Sequence, residues 1–239
     1  MKNSFLLSFL CLSLIFNSCS QKLETIKHTN SPIIIDGKQN DKAWQQTEWR
    51  QINHKWLGED FSKSDFNGKY KLLWDKNYLF VLAEITDDKL IDIYPNGLEE
   101  YWNDDCLEVF VDENASGGNH QYNYNAFAYH IALDDKVVDL GADKKPHYFN
   151  HVNSKRITNG NKSIWELSIE IYDDSYELNR LNKKVELTAD KNIGFAIAYC
   201  DNDASKEREN FIGSMEIPGS DKNRAWIDAN LFEKMVLVK

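Results

Sequence analysis

Cysteine and positive charge are both scarce in this 239-residue sequence. Cysteine occurs four times, as Cys11, Cys19, Cys106 and Cys200, and the first two stand near the start of the chain. So few thiols cannot build the disulfide framework of a small secreted domain, and a bridge between Cys106 and Cys200 would need Cα atoms within about 7 Å. They read as unpaired, partly buried thiols. Lys and Arg number 28 against 38 Asp and Glu, a formal net charge of −10. That acidic surplus excludes nucleic acid as a partner, since nucleic acid needs a basic face, and leaves neutral glycans open. Long apolar runs are missing as well, for the longest, Phe5 to Phe16, is too short to span a bilayer as a stable helix. Internal repeats, low-complexity tracts and extended helical patterns are also absent.

Residues 1–19 read as an export signal. Met1-Lys2-Asn3 precedes the apolar run, and Phe16-Asn17-Ser18-Cys19 ends it with a small residue directly before a cysteine. The end resembles the lipobox of bacterial lipoproteins, although Phe16 and Asn17 depart from the usual pattern. Lipidation of Cys19 is therefore expected, giving an exported, membrane-anchored protein in the periplasm or on the outer-membrane surface, with the lipid as its only membrane contact. Residues 20–31 are polar and uneven, and read as a linker. Residues 32–239 form one domain, a length that suits a single large β fold.

Short strands follow in quick succession. Pro32 to Gly37 ends in an Asp-Gly turn signal, and Asp41-Lys42-Ala43-Trp44 suits one helical turn. Further strands are expected at Gly68 to Trp74, Tyr78 to Thr86, Asp105 to Asp112, Asn125 to Leu133, Ser163 to Tyr172, Ile193 to Cys200 and Phe232 to Val238. Only Asp173 to Lys184 leaves room for another short helix. Alternation puts Leu107, Val109 and Val111 on one side and Cys106, Glu108 and Phe110 on the other; Phe127, Tyr129 and Ile131 likewise oppose Ala126, Ala128 and His130. A second face of Glu, His and Ala suggests a concave, functional surface. The fold class is all-β: an antiparallel β-sandwich with one or two short helices.

Two tryptophan segments carry the chemistry. Trp102 stands in Tyr101-Trp102-Asn103-Asp104-Asp105-Cys106-Leu107-Glu108, and Trp226 in Asn223-Arg224-Ala225-Trp226. A pyranose offers apolar C–H faces that stack on an indole and hydroxyls that need amides or carboxylates, so such a site combines both. The duller alternative is that these rings are core residues. The other five, Trp44, Trp49, Trp56, Trp74 and Trp165, are assigned to core and rim packing.

In chain order, Ile35-Asp36-Gly37, Ala43-Trp44, Leu73-Trp74-Asp75-Lys76-Asn77-Tyr78-Leu79-Phe80-Val81, Trp102 to Asp112, Ile193-Gly194-Phe195 and Trp226-Ile227-Asp228 followed by Leu231-Phe232 resemble a family 9 carbohydrate-binding module. The resemblance covers nearly all of residues 32–239. It implies a sandwich related to the DOMON fold, jelly-roll-like, in which two tryptophans clamp a terminal sugar over a polar floor. Trp102 and Trp226 match the clamp, Glu108 a floor carboxylate, Asp105 an acid earlier in the motif, and Asn223 an amide. Where other members have an arginine and an asparagine, Ala128 and His130 stand here. The resemblance implies a non-catalytic binder of an oligosaccharide or polysaccharide end, serving a partner glycoside hydrolase or an uptake system.

Three alternatives stay open. Glu108 and Asp105 would be the acid pair if the chain were a glycoside hydrolase, which sets two carboxyls about 5–10 Å apart. His130 and Met215 would be ligands if it were a haem-binding DOMON relative. Asp105 would otherwise be a turn cap or calcium ligand, because modules of this family carry structural calcium and oxygen-rich stretches such as Asp104-Asp105, Asp112-Glu113-Asn114 and Asp201-Asn202-Asp203 suit a hard cation. No cofactor beyond structural calcium is expected, and no individual metal ligand is assigned.

Overall fold

The computed structural model describes residues 23–94 and 96–239. Residues 1–19, read from the sequence as an export signal ending at Cys19, lie outside the described residues. Among the described residues there are fourteen strands, the first seven being β1 Glu24–His28, β2 Arg50–Ile52, β3 His54–Leu57, β4 Phe66–Trp74, β5 Leu79–Asp87, β6 Cys106–Asp112 and β7 Phe127–Ala132. The second half adds β8 Val137–Leu140, β9 Pro146–Tyr148, β10 Val152–Asn159, β11 Lys162–Ile169, β12 Asn192–Asp201, β13 Asn210–Gly213 and β14 Glu233–Val238. Among the described residues the helical content is two short 3-10 turns, Lys42–Gln46 and Ala229–Leu231. No described helix is long and apolar enough to cross a membrane.

The strands join in the order β10-β11-β5-β4-β1-β14-β12-β6-β7-β8-β9, with β2 added to β4 and β13 between β12 and β3. The path folds into two layers, β10-β11-β5-β4 on one side and β14-β12-β6-β7-β8-β9 on the other, and their inner faces share one core. Leu72, Val81 and Leu167 from the first layer belong to the same buried cluster as Val109, Tyr129 and Ile197 from the second. Tyr70 stacks on Phe195 and Phe66 on Tyr199 across the gap. Removing a buried aliphatic side chain of this kind costs about 2–5 kcal/mol, because a close-packed interior collapses only partly around the hole.

Period-two alternation acts as expected on the central strands. Leu107, Val109 and Val111 enter the inter-sheet core with Phe127, Tyr129 and Ile131. Cys106, Phe110 and Ala128 face outward, where a second apolar cluster containing Trp56, Phe211, Ala225 and Phe232 covers them. Trp56 lies flat over Gly213, where a Cβ would stand 2.0 Å from the ring. Only glycine admits the indole at that approach.

Several expectations need correction. The segment 20–31 is not a plain linker: β1 pairs in parallel with both β14 and β4, so the sheet begins at Glu24 rather than Pro32. Its sequence, Glu-Thr-Ile-Lys-His, has one buried residue, Ile26, and its strand geometry comes from neighbours on both edges. Pro32 to Gly37 is irregular, and Asp173 to Lys184 forms turns instead of a helix. The Lys42–Gln46 turn does form, burying Ala43 and Trp44.

Candidate carbohydrate-binding cleft

The outer face of β6, β7 and β8 is not covered everywhere. A cavity of about 390 Å³ opens there, lined by Trp102, Trp226, Glu108, His130, Asn223 and Arg208, together with Tyr101, Tyr122 and Asp139. Its volume lies within the range of about 300–1,000 Å³ typical of small-molecule sites.

Loops hold the two indoles. The Trp102 loop is fixed by Asp104, whose carboxylate accepts from the amides of Ile93 at 2.7 Å and Tyr94 at 3.2 Å. Asn202 Nδ2 donates to the carbonyl of Asn103 at 2.6 Å, tying the same loop to the end of β12. Tyr101 meets Trp102 edge-on at 5.0 Å and His130 edge-on at 4.7 Å, so one buried ring buttresses both wall and floor. On the other side His120 Nε2 contacts the carbonyl of Ala225 at 2.8 Å, its amide donates to Ile227, and Trp226 Nε1 donates to the carbonyl of Asn223 at 3.1 Å. Trp102 is 37% exposed and Trp226 half-buried, as rings offered to a ligand are rather than core residues.

The floor is polar and nearly dry. Glu108 and His130 are register partners on β6 and β7, with His130 Nε2 3.2 Å from Glu108 Oε1. Burial pushes the Glu108 carboxyl well above its usual range, with the neighbouring Cys200 adding to the rise. Burial and then the Arg208 charge push His130 down to about 3. Both shifts favour neutral forms, so the pair is a close contact of neutral groups and not an ion pair. Asp139, also in the lining, is raised to about 8 by burial, and its oxygens accept from the amides of Ala128 and Leu140 at 2.9 and 2.7 Å.

Arg208 was not singled out from the sequence. It stands in a charged run, Lys206-Glu207-Arg208-Glu209, that resembles a solvated loop. The fold turns it inward over the Phe211 ring at 4.0 Å, with Nη1 donating to Cys200 Sγ at 3.1 Å and Nη2 to Asn223 Oδ1 at 3.0 Å. A guanidinium thus returns to the floor from a different segment than β7.

Asp105 requires correction, since it does not line the cavity with the tryptophans. It is fully buried beneath the Trp102 loop, where Oδ1 accepts from Asn202 N at 2.7 Å and Oδ2 from Ile91 N at 2.5 Å. The acid pair Glu108–Asp105 therefore faces no common space. Met215 is likewise absent from the cavity lining, so His130 has no methionine partner there.

Asp105 belongs to another group. Ligand oxygens of Asp87, Asp105 and Asp201 lie within 4.8 Å of one another, and all three residues are buried. Tyr199 donates to Asp87, but Asp201 Oδ2 has no hydrogen-bond partner. Burial raises Asp87 to about 6 against the hydrogen bond from Tyr199, and burial followed by the charge of Asp87 raises Asp105 to about 9 and Asp201 to about 8. An all-oxygen set of this kind, with an orphaned oxygen, fits the calcium that the family resemblance implies.

With this geometry in view, the comparisons are specific. The model of the family described as "Carbohydrate family 9 binding domain-like" matches residues 35–239. The chain belongs to that family. A carbohydrate-binding module of family 9 from Caldicellulosiruptor kristjanssonii, solved in complex with cellotriose, superposes with a TM-score of 0.64 at 19% identity, covering 90% of this chain and 93% of that one. The same organism's module in complex with glucose gives 0.63 at 20% identity, covering 90% and 95%. Endo-1,4-beta-xylanase A of Thermotoga maritima is 27% identical over 86% of this chain, a match that occupies 17% of the enzyme. The family 9 chain thus corresponds to a small part of that multi-part protein.

Proposed function

We propose that the cleft binds the end of an oligosaccharide without cleaving it. One observation carries this reading: Trp102 and Trp226, from distant parts of the chain, line a single cavity whose floor holds Glu108, Asn223 and Arg208. Indole faces suit the C–H surfaces of a pyranose, and charged groups bond hydroxyls at about 1.5–3 kcal/mol each. Ordering and association entropy offset much of this gain, so affinity falls in the micromolar range. Both Asp139 oxygens are engaged by backbone amides, which disfavours pairing it with Glu108 as the acid and base of a hydrolase. Calorimetry with cellotriose, xylotriose and glucose tests the reading. Saturable binding without release of reducing sugar supports it; no binding to any glycan on an array, or sugar release, overturns it.

The surrounding role follows from the leader. Lipidation at Cys19 would hold the module at the cell envelope, capturing glycan ends for a partner hydrolase or an importer. Labelling with a radioactive fatty acid tests the anchor, and loss of label in Cys19→Ala is the expected result. Asp87, Asp105 and Asp201 would hold calcium beneath the Trp102 loop, a structural role supported by the unpartnered Asp201 oxygen.

A further inference from the structure

We propose that Glu108, His130 and Cys200 form a site for a zinc-class divalent metal ion on the floor of the cleft. This deepens the binding reading, because Glu108 and His130 also face the space assigned to the sugar.

Each residue arrives on a different strand. Glu108 on β6 lies opposite His130 on β7, while β12 places Cys200 opposite Cys106, two residues along β6 from Glu108. A carboxylate oxygen, an imidazole nitrogen and a thiol sulfur lie within 4.8 Å of one another. His130 Nε2 stands 3.2 Å from Glu108 Oε1, and the other oxygen of the same carboxylate, Oε2, stands 3.9 Å from Cys200 Sγ. Zinc bonds of about 2.0–2.1 Å to N and O and about 2.3 Å to S put tetrahedral edges at roughly 3.3 Å for N···O and 3.6 Å for S···O. The N···O distance already matches, and side-chain movement would bring the thiol onto the same ion.

The donor types choose the metal. Oxygen alone suits calcium, as in the aspartate cluster, whereas sulfur with imidazole suits zinc and its neighbours. His130 is set up to coordinate: Nδ1 lies 3.3 Å from the carbonyl of Ala128. A proton on Nδ1 donates there and leaves the Nε2 lone pair free to coordinate, the outer support usual for a ligating histidine. A Glu108 carboxylate and a Cys200 thiolate would supply the two negative charges that a divalent ion needs. Binding displaces one proton from the Glu108 carboxyl and one from the Cys200 thiol, which leave to solvent. Three ligands leave a fourth position toward the cavity.

The test is titration of the purified protein with cobalt(II), a spectroscopic substitute for zinc, without sugar. Expected are saturation at one ion per chain, a thiolate-to-cobalt charge-transfer band, visible ligand-field bands of tetrahedral strength, and displacement by zinc. Cys200→Ser should abolish the charge-transfer band, and His130→Asn should weaken cobalt binding at least tenfold, with circular dichroism verifying each fold. If Cys200→Ser does not fold, His130→Asn decides. Absence of the band in the wild type, its survival in Cys200→Ser, or unchanged affinity in His130→Asn overturns the proposal. Glucose calorimetry in chelator reads the sugar site separately: binding there with no cobalt band sinks only the metal site, and a cobalt band with no glycan bound sinks only the sugar reading.

Discussion

Arg208 donates from Nη2 to Asn223 Oδ1 at 3.0 Å, and this bond joins the two walls of the cleft. The amide of Arg208 donates to Asn103 Oδ1 at 3.3 Å beside Trp102, and the carbonyl of Asn223 accepts from Trp226. Arg208→Ala should therefore lower sugar affinity in two ways, by removing a cationic donor and by loosening the Asn223 side of the cleft, while the backbone bond to Asn103 remains. A lost charge-assisted bond of about 2 kcal/mol corresponds to roughly thirtyfold in Kd, measured by calorimetry. Arg208→Lys should not rescue it, because an ammonium cannot span Cys200 and Asn223 together.

Trp102→Ala and Trp226→Ala should each weaken sugar binding at least tenfold. Their stability costs should differ. Trp102 projects toward solvent, so its truncation should shift unfolding by no more than about 0.5 kcal/mol, whereas Trp226 packs on the apolar cluster around Phe232 and should cost more. Denaturant unfolding alongside calorimetry checks both halves.

The aspartate cluster predicts a reversal of sign. With calcium at a hundred times its Kd, the native state gains about 2.7 kcal/mol, and each kcal/mol moves Tm by about 2–4 °C in a domain of this size. Chelator should remove that gain in the wild type. Asp201→Asn should be less stable than the wild type in calcium and more stable in chelator, since it removes one of three crowded buried carboxyls whose ionisation burial disfavours. Thermal scans in both conditions decide it, and equal Tm values would end the calcium assignment.

His151 gives the pH prediction. Its Nε2 contacts Tyr129 OH at 2.7 Å within a cage of Phe127, Phe149, Tyr172 and Tyr176, and burial lowers its pKa to about 4 while Glu170 opposes the shift. The folded pKa lies below the unfolded value near 6.5. Stability is therefore full above pH 6.5 and declines as pH falls toward 4, by roughly 3 kcal/mol for this group. His151→Gln should flatten that part of the stability curve, read by urea denaturation between pH 7 and about pH 4.

Legibility of the sequence followed the strength of local patterning. Strands such as Cys106–Asp112 alternate strongly enough to assign each residue to a face, and the floor position of Glu108 follows from that. The same alternation places Asp105 with Leu107 and Val109, on the core side, which explains why it cannot share the cavity with Glu108. Short strands like Arg50–Ile52 and Pro146–Tyr148 carry too few residues to show a period, and their pairing partners define them. Arg208 was hidden for a different reason. A charged loop reads as solvated until a ring such as Phe211 and a buried sulfur are brought beneath it, and those are tertiary facts.

The first strand has a mechanical consequence. Glu24 to Lys27 run beside Met235 to Val238 in the same direction, so the first and last strands of the described residues lie along one parallel ladder. A pull that separates the termini loads that ladder in shear, so its hydrogen bonds must break together instead of unzipping one after another. A tether at the head of the chain would then carry drag from a captured polymer through the toughest direction of the sheet.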